Sequence, residues 1–126
     1  MSKFMLLLWT RELTPDELAG DEMKAWFQEY IEWTRELEAA GALVMTESLA
    51  PTATSATVEV RDGQQIVSDG PFAETKEQIL GFFLIEAEDF DAAVQWAAKS
   101  PAAKHGSIEV RPLNNAREMM EAVAAS

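Results

Sequence analysis

Residues 67–77 read VSDGPFAETKE and form a sharp corner between two segments of strand-like sequence. The first segment stops at Asp69, and the Gly70-Pro71 pair that follows forces the chain to turn. Phe72 comes directly after the turn, so a carboxylate stands close to an aromatic ring. Such a corner is needed by the fold itself and is also a candidate binding or catalytic site.

Strand and helix patterns alternate on both sides of this corner. Residues 3–9 predict a fully apolar strand, and residues 21–40 predict a long helix that ends at Gly41. The Asp62-Gly63 pair is typical of the tight turn of a β-hairpin. The other predicted elements are strands over residues 42–49, 57–61, 65–68, 79–85 and 107–112, a helix over residues 89–99, and a helical tail over residues 115–125.

The order of these elements predicts an α+β fold. Strand–helix–strand followed by strand–helix–strand is the split βαβ arrangement of ferredoxin-like folds, here with a hairpin inserted between the two halves. Helices cover one face of such a sheet and leave the other face open. We expect a second copy of the chain to cover the open face, which predicts a homodimer.

The length and composition predict a single folded unit. The chain has 126 residues, of which 48% are hydrophobic, enough for a substantial core. We assign residues 1–113 to this unit and residues 114–126 to an appended helical tail. Gly81 lies inside the apolar strand over residues 79–85, which indicates that another backbone or a ligand comes close there.

The long helix carries more apolar residues than a single buried stripe requires. Trp26 and Trp33 widen the stripe, and they are expected either to cover the edge of the sheet or to line a subunit interface or ligand cleft. The residues expected to form the buried stripe itself are Met23, Phe27, Tyr30, Ile31 and Leu37.

The composition argues against several classes of protein. The formal net charge of −12 repels phosphate backbones, so nucleic acids are not expected partners. Much of the acidic charge falls within residues 12–38, either as a solvated helix face or as a docking surface for a basic partner. The apolar run near the N-terminus is too short to cross a membrane and fits a buried strand of a cytoplasmic protein.

Metal and cofactor sites are not expected. The absence of cysteine excludes disulfide scaffolds, thiolate metal sites and thiol nucleophiles. A single histidine argues against a zinc site, and no calcium-binding loop, phosphate loop or dinucleotide fingerprint occurs in the sequence.

Asp69 and His105 are the candidate catalytic residues. A carboxylate held against Phe72 would lose part of its solvent contact and become suited to acid–base work. Alternatively, its oxygens accept backbone N–H groups and fix the turn. His105, expected in a loop before the last strand, would pair with Asp69 if the fold brings the two loops together, or would be an ordinary loop histidine.

The candidate ligand-binding residues are cations and polar or aromatic groups around the expected cleft. Lys76 and Arg111 are the cations expected to bind an anionic ligand. Arginine in particular makes bidentate contacts with carboxylates. The alternative for Arg111 is an internal ion pair with Glu109 or Glu47. The further candidates for the cleft lining are Tyr30, Glu47 and Phe72.

Five segments together carry a resemblance to a known family. The chain resembles the DGPF-domain proteins of the YCII-related superfamily, and the matching segments span most of the chain. The resemblance implies a dimeric α+β barrel of the ferredoxin-like type. The matching segments are KFMLL at residues 3–7, PTAT at 51–54, DGPFAETKE at 69–77, GFF at 81–83 and EVRP at 109–112.

The resemblance implies two hypotheses about function. Some members of the wider superfamily act on small unsaturated acids with a His–Asp pair, whose histidine lies in or near the first helix; this chain has no histidine before His105. The first hypothesis is a homodimer that binds a small organic acid in a barrel cleft, with acid–base chemistry of isomerase or lyase type. The second is a non-catalytic binding or regulatory module linked to an extracytoplasmic-function sigma factor.

Overall fold

A computed structural model describes residues 1–126. The strands are β1 (Ser2–Thr10), β2 (Leu43–Ser48), β3 (Ala56–Arg61), β4 (Gln64–Asp69), β5 (Gln78–Ala87) and β6 (Ser107–Pro112). The helices are α1 (Pro15–Leu18), α2 (Asp21–Ala39), α3 (Phe90–Ala98), α4 (Pro101–His105) and α5 (Ala116–Ala125), with a 3-10 turn over Thr52–Thr54.

The main sheet has four antiparallel strands in the order β2-β5-β1-β6. This order arises when two strand–helix–strand units interleave, so that the first strand of each unit lies in the centre. The predicted α+β, ferredoxin-like fold is therefore confirmed. The inserted hairpin is β3 and β4, which pair only with each other as a separate two-stranded sheet.

Local signals place the ends of these elements. Thr14 caps α1 with a capping box, because its side chain accepts from the Glu17 backbone while the Glu17 side chain accepts from the Thr14 backbone. Gly41, at a φ of 69°, ends α2 in the left-handed conformation that glycine tolerates. Asp62 and Gly63 both have positive φ, as a two-residue hairpin turn requires.

The core lies between one face of the sheet and the helices. Leu6 of β1, Ile85 of β5 and Leu37 of α2 are fully buried there. Trp33 of α2 joins this core, with its ring centroid 4.5 Å from that of Phe83. The Trp33 indole Nε1 donates to the Trp96 carbonyl at 3.1 Å, which satisfies its polar atom inside the core.

The buried face of α2 differs from the expected stripe. Trp33 is 3% exposed, whereas Phe27 and Ile31 are 55% and 43% exposed. The prediction was wrong for these two residues because the apolar side chains of α2 spread over a wider arc of the helix than the part that is buried. Which of two adjacent stripes is buried depends on how the helix lies on the sheet, which periodicity alone does not determine.

The segment after α3 also differs from expectation. Ser100 and Pro101 were expected only to end a helix, but the Ser100 side chain accepts from Ala102 N and begins the short helix α4. Proline suits the first helical position as well as the position after a helix, so the same signal serves both. His105 is consequently the last residue of a helix instead of a loop residue.

Two glycines mark places where backbones come very close. A Cβ on Gly81 would lie 2.6 Å from the Glu47 carbonyl oxygen of β2, which confirms the predicted close approach. A Cβ on Gly106 would lie 2.1 Å from the Trp9 carbonyl oxygen. Both positions therefore accept only glycine without a shift of the backbone.

The second face of the main sheet has no helix over it, and we call it the open face. Its centre is apolar, with Met5 paired to Leu84 and Leu7 paired to Phe82. These four side chains are half-buried within the single chain. None of the helices combines the length and apolar content needed to cross a membrane.

Candidate functional site

A polar cleft of about 440 Å³ lies against the Gly70-Pro71 corner. Three separate parts of the chain form it: the end of β1, the 3-10 turn, and the segment between β4 and β5. Only one of the ten lining residues is hydrophobic. The lining residues are Arg11, Glu12, Thr52, Ala53, Gly70, Pro71, Glu74, Thr75, Lys76 and Gln78.

Backbone contacts hold the corner in place. Gly70 has a φ of 97°, a conformation that favours glycine. Its N–H donates to the Ser55 carbonyl at 2.8 Å, and its own carbonyl accepts from Thr57 Oγ1 at 2.9 Å. Further along, the Gln78 side chain donates to the carbonyls of Ala73 and Thr75 at 3.1 and 3.3 Å. These hydrogen bonds therefore fix both ends of the loop over residues 70–77.

Glu12 fastens the 3-10 turn to the end of β1. Its two carboxylate oxygens accept from the Thr52 backbone N–H at 2.8 Å and from Thr52 Oγ1 at 3.0 Å. Both oxygens already accept hydrogen bonds from Thr52, so the Glu12 carboxylate has a structural role in the wall of the cleft.

Arg11 forms a second fixed part of the wall. It makes a bidentate pair with Glu17, at 3.1 Å from Nη1 to Oε1 and 2.7 Å from Nη2 to Oε2. The hydrogen bond from Arg11 lowers the pKa of the Glu17 carboxyl to about 2, and the bonds with Thr14 act in the same direction. The same hydrogen bond raises the pKa of the Arg11 guanidinium above its usual value.

Lys76 and Glu74 are the remaining charged residues of the cleft. The ion pairs of the chain join Arg11 to Glu17, Arg61 to Glu59, Lys104 to Glu29 and Arg111 to Glu109. Lys76 takes part in none of them, so its ammonium is free to bind an anion. Glu74 supplies one carboxylate to the same cleft, so the lining offers both signs of charge.

Asp69 and Phe72, the candidate residues of the motif, are not among the residues that line the cleft. Asp69 ends β4 with its side chain exposed, directly before the cleft residue Gly70. Phe72 is 87% exposed, so its ring does not enclose the Asp69 carboxylate. A role for either in catalysis or binding stays a prediction.

His105 lies on the helical side of the molecule. Its ring stacks on Trp26 of α2, with centroids 3.9 Å apart and planes inclined by 24°. The neighbouring Lys104 reaches Glu29 of α2 at 3.9 Å. No hydrogen bond or ion pair joins His105 to Asp69, and the contacts of His105 fix α4 against α2. Its expected pairing with Asp69 remains a prediction without support from these contacts.

Tyr30 belongs to α2 and is half-buried. Burial raises the pKa of its phenol to about 12, and the nearby Glu29 carboxylate adds to the effect. The Tyr30 ring packs against the hydrophobic core and does not line the polar cleft.

Arg111 and Glu47 lie on opposite edges of the open face. The Arg111 Nε donates to Glu109, and the Trp9 indole Nε1 donates to the other Glu109 oxygen at 3.2 Å. The Arg111 hydrogen bond is the main cause of the lowered pKa of Glu109, with Trp9 adding to it. Glu47 is exposed on β2, opposite Phe82. The internal pair anticipated between Arg111 and Glu109 thus forms, while the Arg111 terminal nitrogens remain free.

The structure gathers residues that sequence reasoning missed. Arg11, Glu12 and Thr52 line the cleft with Lys76, although they are far from it along the chain. Only the PTAT segment at residues 51–54, which carries part of the family resemblance, gave a signal at one of these positions. No group of three or more histidine, cysteine, aspartate or glutamate side chains is placed to hold a metal ion.

Comparison with known proteins assigns the chain to a family. The model of the YCII-related domain matches residues 5–117. An uncharacterised protein of Rhizobium meliloti (strain 1021) is 41% identical over 107 residues, which cover 83% of this chain and 79% of that protein. The DGPF motif at residues 69–72 fits this assignment, and so does the ferredoxin-like sheet. The chain belongs to the family of proteins with a YCII-related domain.

Proposed function

We propose that this protein is a homodimer that binds a small organic acid in the polar cleft at the Gly70-Pro71 corner. The single observation that carries the proposal is the free ammonium of Lys76 in a cleft whose other strong cation, Arg11, is already paired. A volume of about 440 Å³ is in the usual range for small-molecule sites.

The lining indicates the chemical class of the ligand. Lys76 supplies a compact positive charge. The Thr52 and Thr75 hydroxyls already donate to the Glu12 carboxylate and to the Glu77 carbonyl, so toward a ligand they act as acceptors. Only one of the lining residues is hydrophobic, so the cleft offers no cluster of apolar side chains to a largely apolar ligand. Glu74 favours a ligand that carries a hydroxyl or amino group as a donor beside its carboxylate.

The proposal also includes acid–base chemistry on the bound organic acid. Asp69 is the carboxylate nearest in sequence to the cleft corner and would take or give the proton. A general base has to lie within hydrogen-bond reach of the transferred proton, directly or through one water. An Asp69→Asn variant that keeps full turnover on any substrate found would remove Asp69 from the mechanism.

The open face supports the homodimer. Its centre holds Met5, Leu7, Phe82 and Leu84, and charged residues lie toward its edges. An apolar centre with a polar rim is the usual composition of a subunit interface. One two-fold contact would cover this face on both copies.

A panel of small hydroxy and amino carboxylic acids tests ligand binding. Thermal shift and ligand-observed NMR measure the binding of each acid. We expect an acid that raises the melting temperature of the wild-type protein to lose this effect with Lys76→Met. Lys24→Met is the matched control, since Lys24 is an exposed lysine on α2 outside the cleft. Equal binding by both variants would contradict the role of Lys76.

A second candidate function is a regulatory module that binds an extracytoplasmic-function sigma factor. The exposed Phe27 and Ile31 on the acid-rich helix α2 favour it, because exposed aromatic and aliphatic residues beside charges are typical of docking surfaces. Surface plasmon resonance with the purified sigma factor encoded nearest the gene tests this function. Phe27→Ser should weaken the binding, and no binding by the wild-type protein would contradict it.

A further inference from the structure

The β3–β4 hairpin has two faces of opposite character, and we call it the arm. Val58 pairs directly with Val67, so these side chains share one face, on which Val60 also lies. The three valines are 59%, 53% and 60% exposed in that order. The opposite face is mostly polar, with Thr57, Glu59, Arg61, Gln64, Ile66 and Ser68.

An arm of this kind needs a surface against its apolar face. An antiparallel ribbon with alternating apolar and polar residues normally packs its apolar side on a core. A lone two-stranded hairpin is marginally stable in water, and further strands or a packed partner are needed to hold it. Yet β3 and β4 pair only with each other and pack closely on no other element. The valine face therefore lacks close packing against any other element of this chain.

The position of the arm favours a second copy of this chain as the occupant. The segment over residues 70–77 leads from β4 directly into β5, a central strand of the open face. The arm thus starts beside the surface at which the two copies are proposed to meet. In a two-fold dimer formed there, each arm would lie near the other copy, and one repeated contact would cover the valine faces of both.

Asp69 shares the valine face of the arm. It pairs with Ala56 at the base of the arm and lies two residues from Val67, so its side chain points to the same side. We propose that the valine face packs on a second copy of this chain, so that Asp69 lies at the subunit boundary and the partner completes the site at the motif. This inference rests on the homodimer proposed above.

Site-specific photocrosslinking tests the contact. p-Benzoylphenylalanine placed at Val58 should give a covalent dimer on irradiation, whereas the same group at Glu59, on the opposite face, should give little. Sedimentation velocity on the same samples separates the possible failures. Dimers that do not crosslink at residue 58, or that crosslink equally at both, overturn the arm contact alone. Monomers overturn the contact together with the homodimer.

Maleimide labelling tests the position of Asp69. The chain lacks cysteine, so a single introduced thiol reports one site. Asp69→Cys should react several-fold more slowly than Ser68→Cys at concentrations where the dimer forms, since Ser68 lies on the polar face. Dilution to monomer should remove the difference. Equal rates for the two thiols in the dimer would overturn the boundary position.

Discussion

At the scale of single residues, the Arg11–Glu17 pair fixes one wall of the cleft and can be followed by titration. The Glu17 carboxyl has a pKa of about 2 instead of 4.5, so folding favours its charged form. The pair therefore stabilises the fold fully above about pH 4.5, and this contribution is lost as the pH falls through about 2.

Replacement of Arg11 by Met should raise the pKa of Glu17 toward its ordinary value, while the hydrogen bonds with Thr14 still hold it below that value. The physical reason is the loss of the bidentate hydrogen bond, which is the largest cause of the shift. Side-chain carboxyl resonances in ¹³C NMR measure this directly. Arg35→Met is the control, because Arg35 forms no ion pair with Glu17, and an unchanged Glu17 pKa in Arg11→Met would contradict the assignment.

Tyr30 gives a second titration at this scale. It is the single tyrosine of the chain, so absorbance at 295 nm reports it alone. We expect a midpoint of about 12 in the folded protein and near 10.0 after unfolding, mainly because burial disfavours the charged phenolate. Its raised pKa contributes stability that is complete below about pH 10 and lost as the pH rises through about 12. A folded-state midpoint near 10.0 would show that the ring is solvated.

Gly106→Ala should destabilise the protein because its Cβ would meet the Trp9 carbonyl oxygen at 2.1 Å. Overpacking of this kind costs about 1–3 kcal/mol, or more where backbone has to move. Urea unfolding followed by tryptophan fluorescence measures the change in the free energy of unfolding. Gly20→Ala is the control, since the nearest atom to its Cβ would be at an ordinary 3.4 Å. Equal effects would contradict the close approach.

At the scale of secondary-structure elements, α2 shows what local sequence predicts and what it does not. Its length and its end at Gly41 follow from periodicity and a helix-stop signal. Its buried face does not, because Trp33 and Phe27 lie on neighbouring apolar stripes and only the packing on the sheet separates them. The same holds for α4, whose Ser100-Pro101 start resembles the end of the preceding helix.

The packing of α2 leads to a prediction at this scale. Trp33→Ala should lower the free energy of unfolding by about 3–5 kcal/mol, as removal of a large buried aromatic side chain does elsewhere. Phe27 lies on the exposed apolar stripe of the same helix. Phe27→Ala should therefore change the free energy of unfolding by no more than about 0.5 kcal/mol, as surface changes usually do. Urea denaturation of both variants measures the difference, and the reverse order would place the other stripe in the core.

At the scale of the whole molecule, the fold was predictable and the cleft was not. The strand order follows from element order and the short connections of a split βαβ fold, which local patterns reveal. The cleft depends on Arg11, Thr52 and Lys76 meeting in space, and nothing in the local sequence links them. Asp69 and His105, both noticed for their chemistry, instead lie on a hairpin and on a helix that no direct contact joins.

The open face carries the prediction for assembly. Leu84→Lys places a charge at its apolar centre and should convert a dimer to a monomer that retains its circular dichroism spectrum, because a buried unpaired charge is costly. Ile31→Lys, on the helical side, should leave the association unchanged. Sedimentation velocity measures both, and a dimer that persists in Leu84→Lys would place the interface elsewhere.

The central position of β1 in the sheet also affects folding during synthesis of the chain. Its partners are β5 and β6, with Ser2 opposite Ala87 and Phe4 opposite Pro112. A nascent chain therefore carries the apolar segment of β1 without either neighbour until most of the protein has been synthesised. Pairings this distant in sequence form slowly, and unpaired apolar strands aggregate. Strand β1 is thus synthesised well before either of its neighbours, and both of its edges are paired only once β6 has emerged.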